Sequence, residues 1–81
     1  QPMPVSRQAV ILYVATNGLV DEVPLDRVHP FVLSFADEME RDHAELMQEI
    51  ETTGNLSAPA IETIRAVLDA DKERERVKWQ V

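Results

Sequence analysis

The sequence predicts an all-α fold, a small bundle of three to four helices at about 5–16, 25–42, 44–53 and 58–76. Two stripes carry this expectation. Val28, Phe31, Val32, Phe35 and Met39 recur at i, i+3, i+4, i+7 and i+11, the spacing that gathers apolar side chains on one helix face. Ile61, Ile64 and Leu68, with Val67 beside them, form a second stripe after Ser57 and Pro59, an N-cap residue type followed by a first-turn proline. The connections between segments are short, as in helical bundles.

Taken in order, Gln1-Pro2-Met3-Pro4 is an extended lead-in, and Pro4 suits a helix start because its missing N–H has no helical partner there. Val5 to Thr16 is ambiguous by pattern. Val10, Ile11, Tyr13 and Val14 favour a strand, whereas the length and the lack of alternation allow a buried helix. Asn17-Gly18 fits either a left-handed helix stop or a hairpin turn. The second segment is clearer, with Asp37, Glu38, Glu40 and Arg41 opposite the apolar stripe. Pro30 lies inside the pattern, so Leu25 to His29 is expected to be a short opening turn, with the regular helix beginning near Pro30. The stripe continues through Leu46, Met47 and Ile50 past a bend near His43, and Gly54 is expected to cap the third helix. In the last segment a full capping box would place Glu or Gln where Ala60 stands. Beyond Asp69 the apolar face thins. Asp71 to Lys78 is almost entirely charged and is expected to be a solvated, exposed or frayed helix end carrying Val77 and Trp79.

A chain of 81 residues makes one domain or a piece of one. At this size roughly 60% of the unfolded surface is buried, so stability is marginal without a partner. There is no cysteine, which excludes a disulfide framework and a thiolate zinc site. The longest apolar run is far below the roughly 18 residues needed to span a bilayer, so direct membrane insertion is not expected. Fifteen acidic residues stand against eight basic ones, a formal net charge of −7. Nucleic-acid binding depends on clustered Lys and Arg, and here the basic residues of 72–78 are interleaved with acids, so no nucleic-acid partner is expected.

No catalytic, cofactor-binding or metal-ligating residue is assigned. Glu40 and His43 have the Glu-x-x-His spacing, but a carboxylate-bridged metal site needs a second such pair, and His29 has no acid three residues before it. Asp21-Glu22 and Asp37-Glu38 are adjacent residues whose side chains diverge on a helix. With only Gly18 and Gly54, no glycine-rich phosphate loop exists. Phe31, Phe35 and Met39 are read first as core, because three helices must bury such stripes against one another, with a partner-helix groove as the alternative. Trp79 stands in a charged tail with few apolar neighbours, and either meets another domain or covers the bundle's own edge. These four, Phe31, Phe35, Met39 and Trp79, are the candidate interface residues.

Gln8, Leu12, Tyr13, Asn17, Gly18 and Asp21 spell Q-x-x-x-L-Y-x-x-x-N-G-x-x-D. This string resembles the last segment of the alpha subunit of F-type ATP synthases, and further matches follow in order. They are the Pro2-Met3 lead-in, Phe31 to Phe35 as F-x-x-x-F, His43 to Ile50 as H-P-E-L-L-x-x-I with Ala44 in place of proline, and Thr53 to Ser57 as T-G-x-L-S. Together they cover most of residues 2–68. The resemblance resolves Val5 to Thr16 as a helix.

The resemblance implies the C-terminal helical domain, a single unit over 1–81 and a fragment of the parent subunit. Its implied role is non-catalytic support of the alpha–beta hexamer in rotary ATP synthesis and hydrolysis coupled to proton transport. The implied partners are beta subunits, the nucleotide-binding domain of the same alpha subunit and the central rotor. The implied location is peripheral to the energy-transducing membrane, on its cytoplasmic, matrix or stromal side. The parent subunit is expected to bind ATP and Mg, through parts absent from this chain. Two departures stand out: His29-Pro30 replaces ordinary helix residues, and the tail from Asp71 is more charged than the usual ending. Some tails of this family restrain ATP hydrolysis. The rival expectation is a free-standing, acidic helical interaction module.

Overall fold

The computed structural model describes residues 3–79. Four helices follow one another: α1 (Val5–Thr16), α2 (Leu25–Asp42), α3 (Ala44–Thr53) and α4 (Ala58–Trp79). α1 packs on α2 and α3, α2 packs on α3, and α4 lies along α2. Phe31, near the start of α2, meets Trp79 at the end of α4, so the two helices run antiparallel.

Each helix buries the face its spacing dictates. α1 contributes Val10 and Val14, α2 contributes Phe31, Val32, Phe35, Ala36 and Met39, α3 contributes Met47 and Ile50, and α4 contributes Ala60, Ile64 and Leu68. Val20 and Val23, from the connection after α1, close one end. Burial of each large apolar side chain is worth about 1.5–3 kcal/mol, which sets the scale on which the polar contacts below act.

The ends of the helices show why the chain reverses where it does. Gly18 (φ 67°) takes the left-handed conformation after Asn17, and the Leu19 N–H returns to the Val14 carbonyl at 3.2 Å, closing α1 in a Schellman-type turn. Gly54 (φ 73°, ψ 11°) ends α3 in the same region. His43 (φ −130°, ψ 46°) separates α2 from α3 and serves both: its N–H donates to Met39 O and its carbonyl accepts from Met47 N–H. Ser57 Oγ accepts from the Ala60 N–H at 3.2 Å, capping α4 as its position suggests. α1 begins differently. Pro4 offers no side-chain cap, and the Ser6 N–H donates instead to Glu51 Oε1 of α3 at 2.8 Å.

Two expectations need correction. α2 is a regular helix from Leu25, with Pro30 inside it and no separate opening turn. Pro30 sits only six residues in, so its missing N–H deprives the carbonyl of exposed Asp26 alone, where water can substitute. The charged tail is neither frayed nor wholly solvated. α4 continues to Trp79, past the expected end near 76, and Asp71 and Lys72 are buried at 4% and 9% exposure.

Candidate functional site

Two surfaces merit attention: the seam between α2 and the end of α4, and the outer face of α1. In the seam, three of the four candidate interface residues are packed within the chain. Phe35 and Met39 are 1% and 0% exposed, and Phe31 is buried at 9%. Trp79 lies edge-on to Phe31, with ring centroids 5.7 Å apart and planes at 76°, so it covers the bundle's own edge. Arg27, Pro30, Phe31, Asp71, Arg74 and Trp79 line a groove of about 380 Å³ along this seam.

The polar members of the seam explain how a charged helix end stays down. Lys72 Nζ donates to the Leu19 carbonyl at 2.8 Å and pairs with Glu22 Oε1 at 2.9 Å. Arg76 Nη1 reaches the other oxygen of Glu22 at 2.8 Å. Glu22 is thereby held below the usual carboxylate range, first by the Lys72 hydrogen bond and then by Arg76. One turn away, Asp71 accepts from Arg74 at 2.9 Å and faces Glu38 of α2. Glu38 is pushed up to about 7, first by its hydrogen bond to the Asp71 carboxyl, then by burial and the Asp71 charge, with Arg74 opposing. Local pattern hid this cluster because its partners, such as Glu22 and Lys72, lie far apart in sequence. One signal was available: Trp79 follows Leu68 by eleven residues, which returns it to the same helix face.

The outer face of α1 is the second surface. Val10 and Val14 point inward, and the opposite side carries Val5, Gln8, Leu12, Ala15 and Thr16, all exposed. Leu12 is 63% exposed and Val5 49%. None of these side chains is charged. The only charged residue of α1, Arg7, is turned to α2, where Nη1 meets Asp37 at 2.9 Å and Glu40 at 2.8 Å. That pairing places Glu40 on Arg7 and not on His43. Among the described residues no three His, Asp or Glu side chains are disposed to hold one metal ion.

Comparison with known proteins decides what kind of domain this is. Residues 1–70 match the model of the ATP synthase alpha/beta chain, C terminal domain. The chain belongs to that family. ATP synthase subunit alpha of Haemophilus influenzae (strain PittGG) is 38% identical over 71 residues, covering 88% of this chain and 14% of the relative. ATP synthase subunit alpha of Parabacteroides distasonis is 40% identical over 68 residues, covering 84% of this chain and 12% of the relative. The chain therefore spans about one seventh of the length of the relatives it matches. In this ATP synthase C-terminal domain, residues 71–79 lie beyond the stretch the family model covers. Among the described residues, no helix is long and apolar enough to cross a membrane, in keeping with a family that is peripheral to it.

Among the described residues, the groups that bind a nucleotide phosphate do not assemble. Gly18 and Gly54 both end helices and cradle nothing ahead of a helix start. The start of α1 is filled by the Glu51 carboxylate, and the start of α4 by the Ser57 hydroxyl. These residues do not fit ATP or its magnesium.

Proposed function

We propose that the chain is the non-catalytic C-terminal helical part of an ATP synthase alpha subunit and acts by contact. It braces the nucleotide-binding domain of its own subunit and the neighbouring beta subunits, around the central rotor, during rotary ATP synthesis and hydrolysis coupled to proton transport. ATP and Mg are bound by the parent subunit elsewhere. The complex sits at the energy-transducing membrane, on the cytoplasmic side or its matrix or stromal equivalent. The observation that carries this reading is the uncharged outer face of α1. A chain of net charge −7 turns the one charged side chain of this helix away and leaves Leu12 and Val5 uncovered. Exposed apolar surface flanked by polar residues is what a protein contact requires. Half-buried Trp79 is a second, smaller contact at the α2–α4 seam, held in place by buried Phe31, with Phe35 and Met39 in the core.

The test places Leu12→Glu in the parent alpha subunit, co-expressed with beta subunits, and measures hexamer assembly by native mass spectrometry. The same substitution in the 81-residue chain monitors the fold by circular dichroism. Loss of hexamer with helicity intact is expected. Normal assembly of the variant refutes the assignment of this face.

A further inference from the structure

The groove of about 380 Å³ along the α2–α4 seam is lined by three side-chain donors that no other described residue engages. Arg27 is the first. Seven of the eight Lys and Arg side chains meet an acid or, for Arg65, the Tyr13 hydroxyl; Arg27 is the eighth, exposed and without a partner among the described residues. Helix stability does not account for it, because Arg27 stands in the first turn of α2, where the helix dipole disfavours a cation. The Ser34 hydroxyl follows two turns later on the same face, and the indole N–H of Trp79 belongs to the opposite wall. Neither makes a hydrogen bond among the described residues. No buried side-chain nitrogen or oxygen there lacks a partner, so these unbonded donors are open to solvent.

The acceptors along the groove are already taken. Arg74 holds Asp71 at 2.9 Å and Lys78 holds Glu75 at 3.2 Å. Three cations therefore face two carboxylates, which leaves one positive charge in the groove of a chain whose net charge is −7. A single carboxylate matches that charge, whereas a phosphate dianion exceeds it and meets Asp71 and Glu75 as well. Exposed Pro30 and the Trp79 ring, set edge-on to Phe31 at 5.7 Å, supply an apolar wall beside the donors. Tryptophan and arginine are also the side chains that most often anchor protein contacts.

We propose that this groove docks an acidic segment of a partner protein. A Glu or Asp carboxylate of the segment accepts from Arg27 and from Ser34 or the Trp79 indole, while a neighbouring apolar side chain lies against Trp79 and Pro30. The inference names the chemistry of the partner at the seam and rests on the reading of Trp79 as a contact. The assembly test at Leu12 addresses a different face, so either can fail alone.

NMR titration of the 81-residue chain with the capped dipeptide acetyl-Phe-Glu-amide reads the site at the Arg27 Nε–H and Trp79 Nε1–H resonances. Saturable shifts of both are expected. The isosteric acetyl-Phe-Gln-amide is expected to bind about two- to fivefold more weakly, the range for a solvent-exposed ion pair. Arg27→Gln, with its fold checked by circular dichroism, is expected to bring the Glu peptide down to the affinity of the Gln peptide and to leave the latter unchanged, which assigns the loss to the charge pair. Arg41→Gln removes an equal charge from the far end of α2, outside the groove, and is expected to preserve the preference. Absent or non-saturating shifts, equal affinity for the two peptides, a preference that survives Arg27→Gln, or one lost in Arg41→Gln would each overturn the assignment, and the peptide comparison needs no variant. Displacement of the Glu peptide by millimolar inorganic phosphate at constant ionic strength would overturn it in favour of a general anion site. Tighter binding of phenylpropionate than of the peptide would overturn it in favour of a free small acid.

Discussion

Replacing Lys72 with methionine separates a strapped helix end from a solvated one. Methionine keeps an unbranched apolar stem of similar reach, so packing along α4 is largely conserved and the change removes the ammonium group. That group is buried to 11% side-chain exposure and donates to the Leu19 carbonyl at 2.8 Å. A hydrogen bond from a charged donor contributes about 1.5–3 kcal/mol, and the half-buried Leu19 carbonyl loses its protein partner with it. The pair with Glu22 is left out of this figure, because Glu22 is solvent-screened and keeps Arg76. A domain of this size has a total stability of about 4–12 kcal/mol, so the loss is large in proportion. Thermal unfolding should show a midpoint lower by roughly 6–24 °C, and urea unfolding a lower midpoint at unchanged slope. Lys78→Met is the internal control. Lys78 lies six residues along the same helix, is 63% exposed and meets only Glu75 at 3.2 Å, so it should change stability by less than about 0.5 kcal/mol. If the two variants are equally stable within that margin, Lys72 is an ordinary surface lysine and the strap does not exist.

Two further outcomes follow from the same packing. Ile64→Ala, at a fully buried position, should cost about 2–5 kcal/mol in chemical denaturation, while Leu12→Ala on the outer face of α1 should leave stability within about 0.5 kcal/mol. Glu51 is held below its ordinary value near 4.5, chiefly by the Ser6 backbone N–H, so its contribution is complete above that value and is lost as pH falls through its lowered folded value; acid unfolding of Glu51→Gln below pH 4.5 should therefore be shallower than that of the parent chain, and an identical acid limb would contradict the cap.

The helices differed in how plainly the sequence announced them. α2 was legible because its two faces differ in chemistry, with Phe31, Phe35 and Met39 against Asp37, Glu38 and Arg41. α1 was not, and its outer face explains why: Val5, Leu12 and Ala15 are apolar where a solvated helix carries charge, so the 3.6-residue rhythm disappears into a continuous run. Only resemblance separated helix from strand there. The missing rhythm was itself the sign of exposed apolar side chains, since consecutive apolar residues cannot all face one core. Local pattern also located Gly54, Ser57 and the break at His43, whose reasons are confined to a few neighbouring residues. The tail was misjudged for the opposite reason. Lys72 meets Leu19 and Glu22, partners that only the fold brings near. Charge density alone cannot distinguish a face turned to water from one paired across a seam.

α1 has one tie to each of the other helices: Arg7 to Asp37 and Glu40 of α2, the Ser6 N–H to Glu51 of α3, and Tyr13, whose hydroxyl accepts from Arg65 Nε of α4 at 3.0 Å beneath the guanidinium. Ser6 and Arg7 are neighbours in its first turn and Tyr13 lies in its last turn, so the ties to three helices meet α1 at its two ends. The exposed face between Val5 and Thr16 is therefore fastened to the rest of the bundle at both ends, by polar contacts that no single neighbouring helix supplies alone.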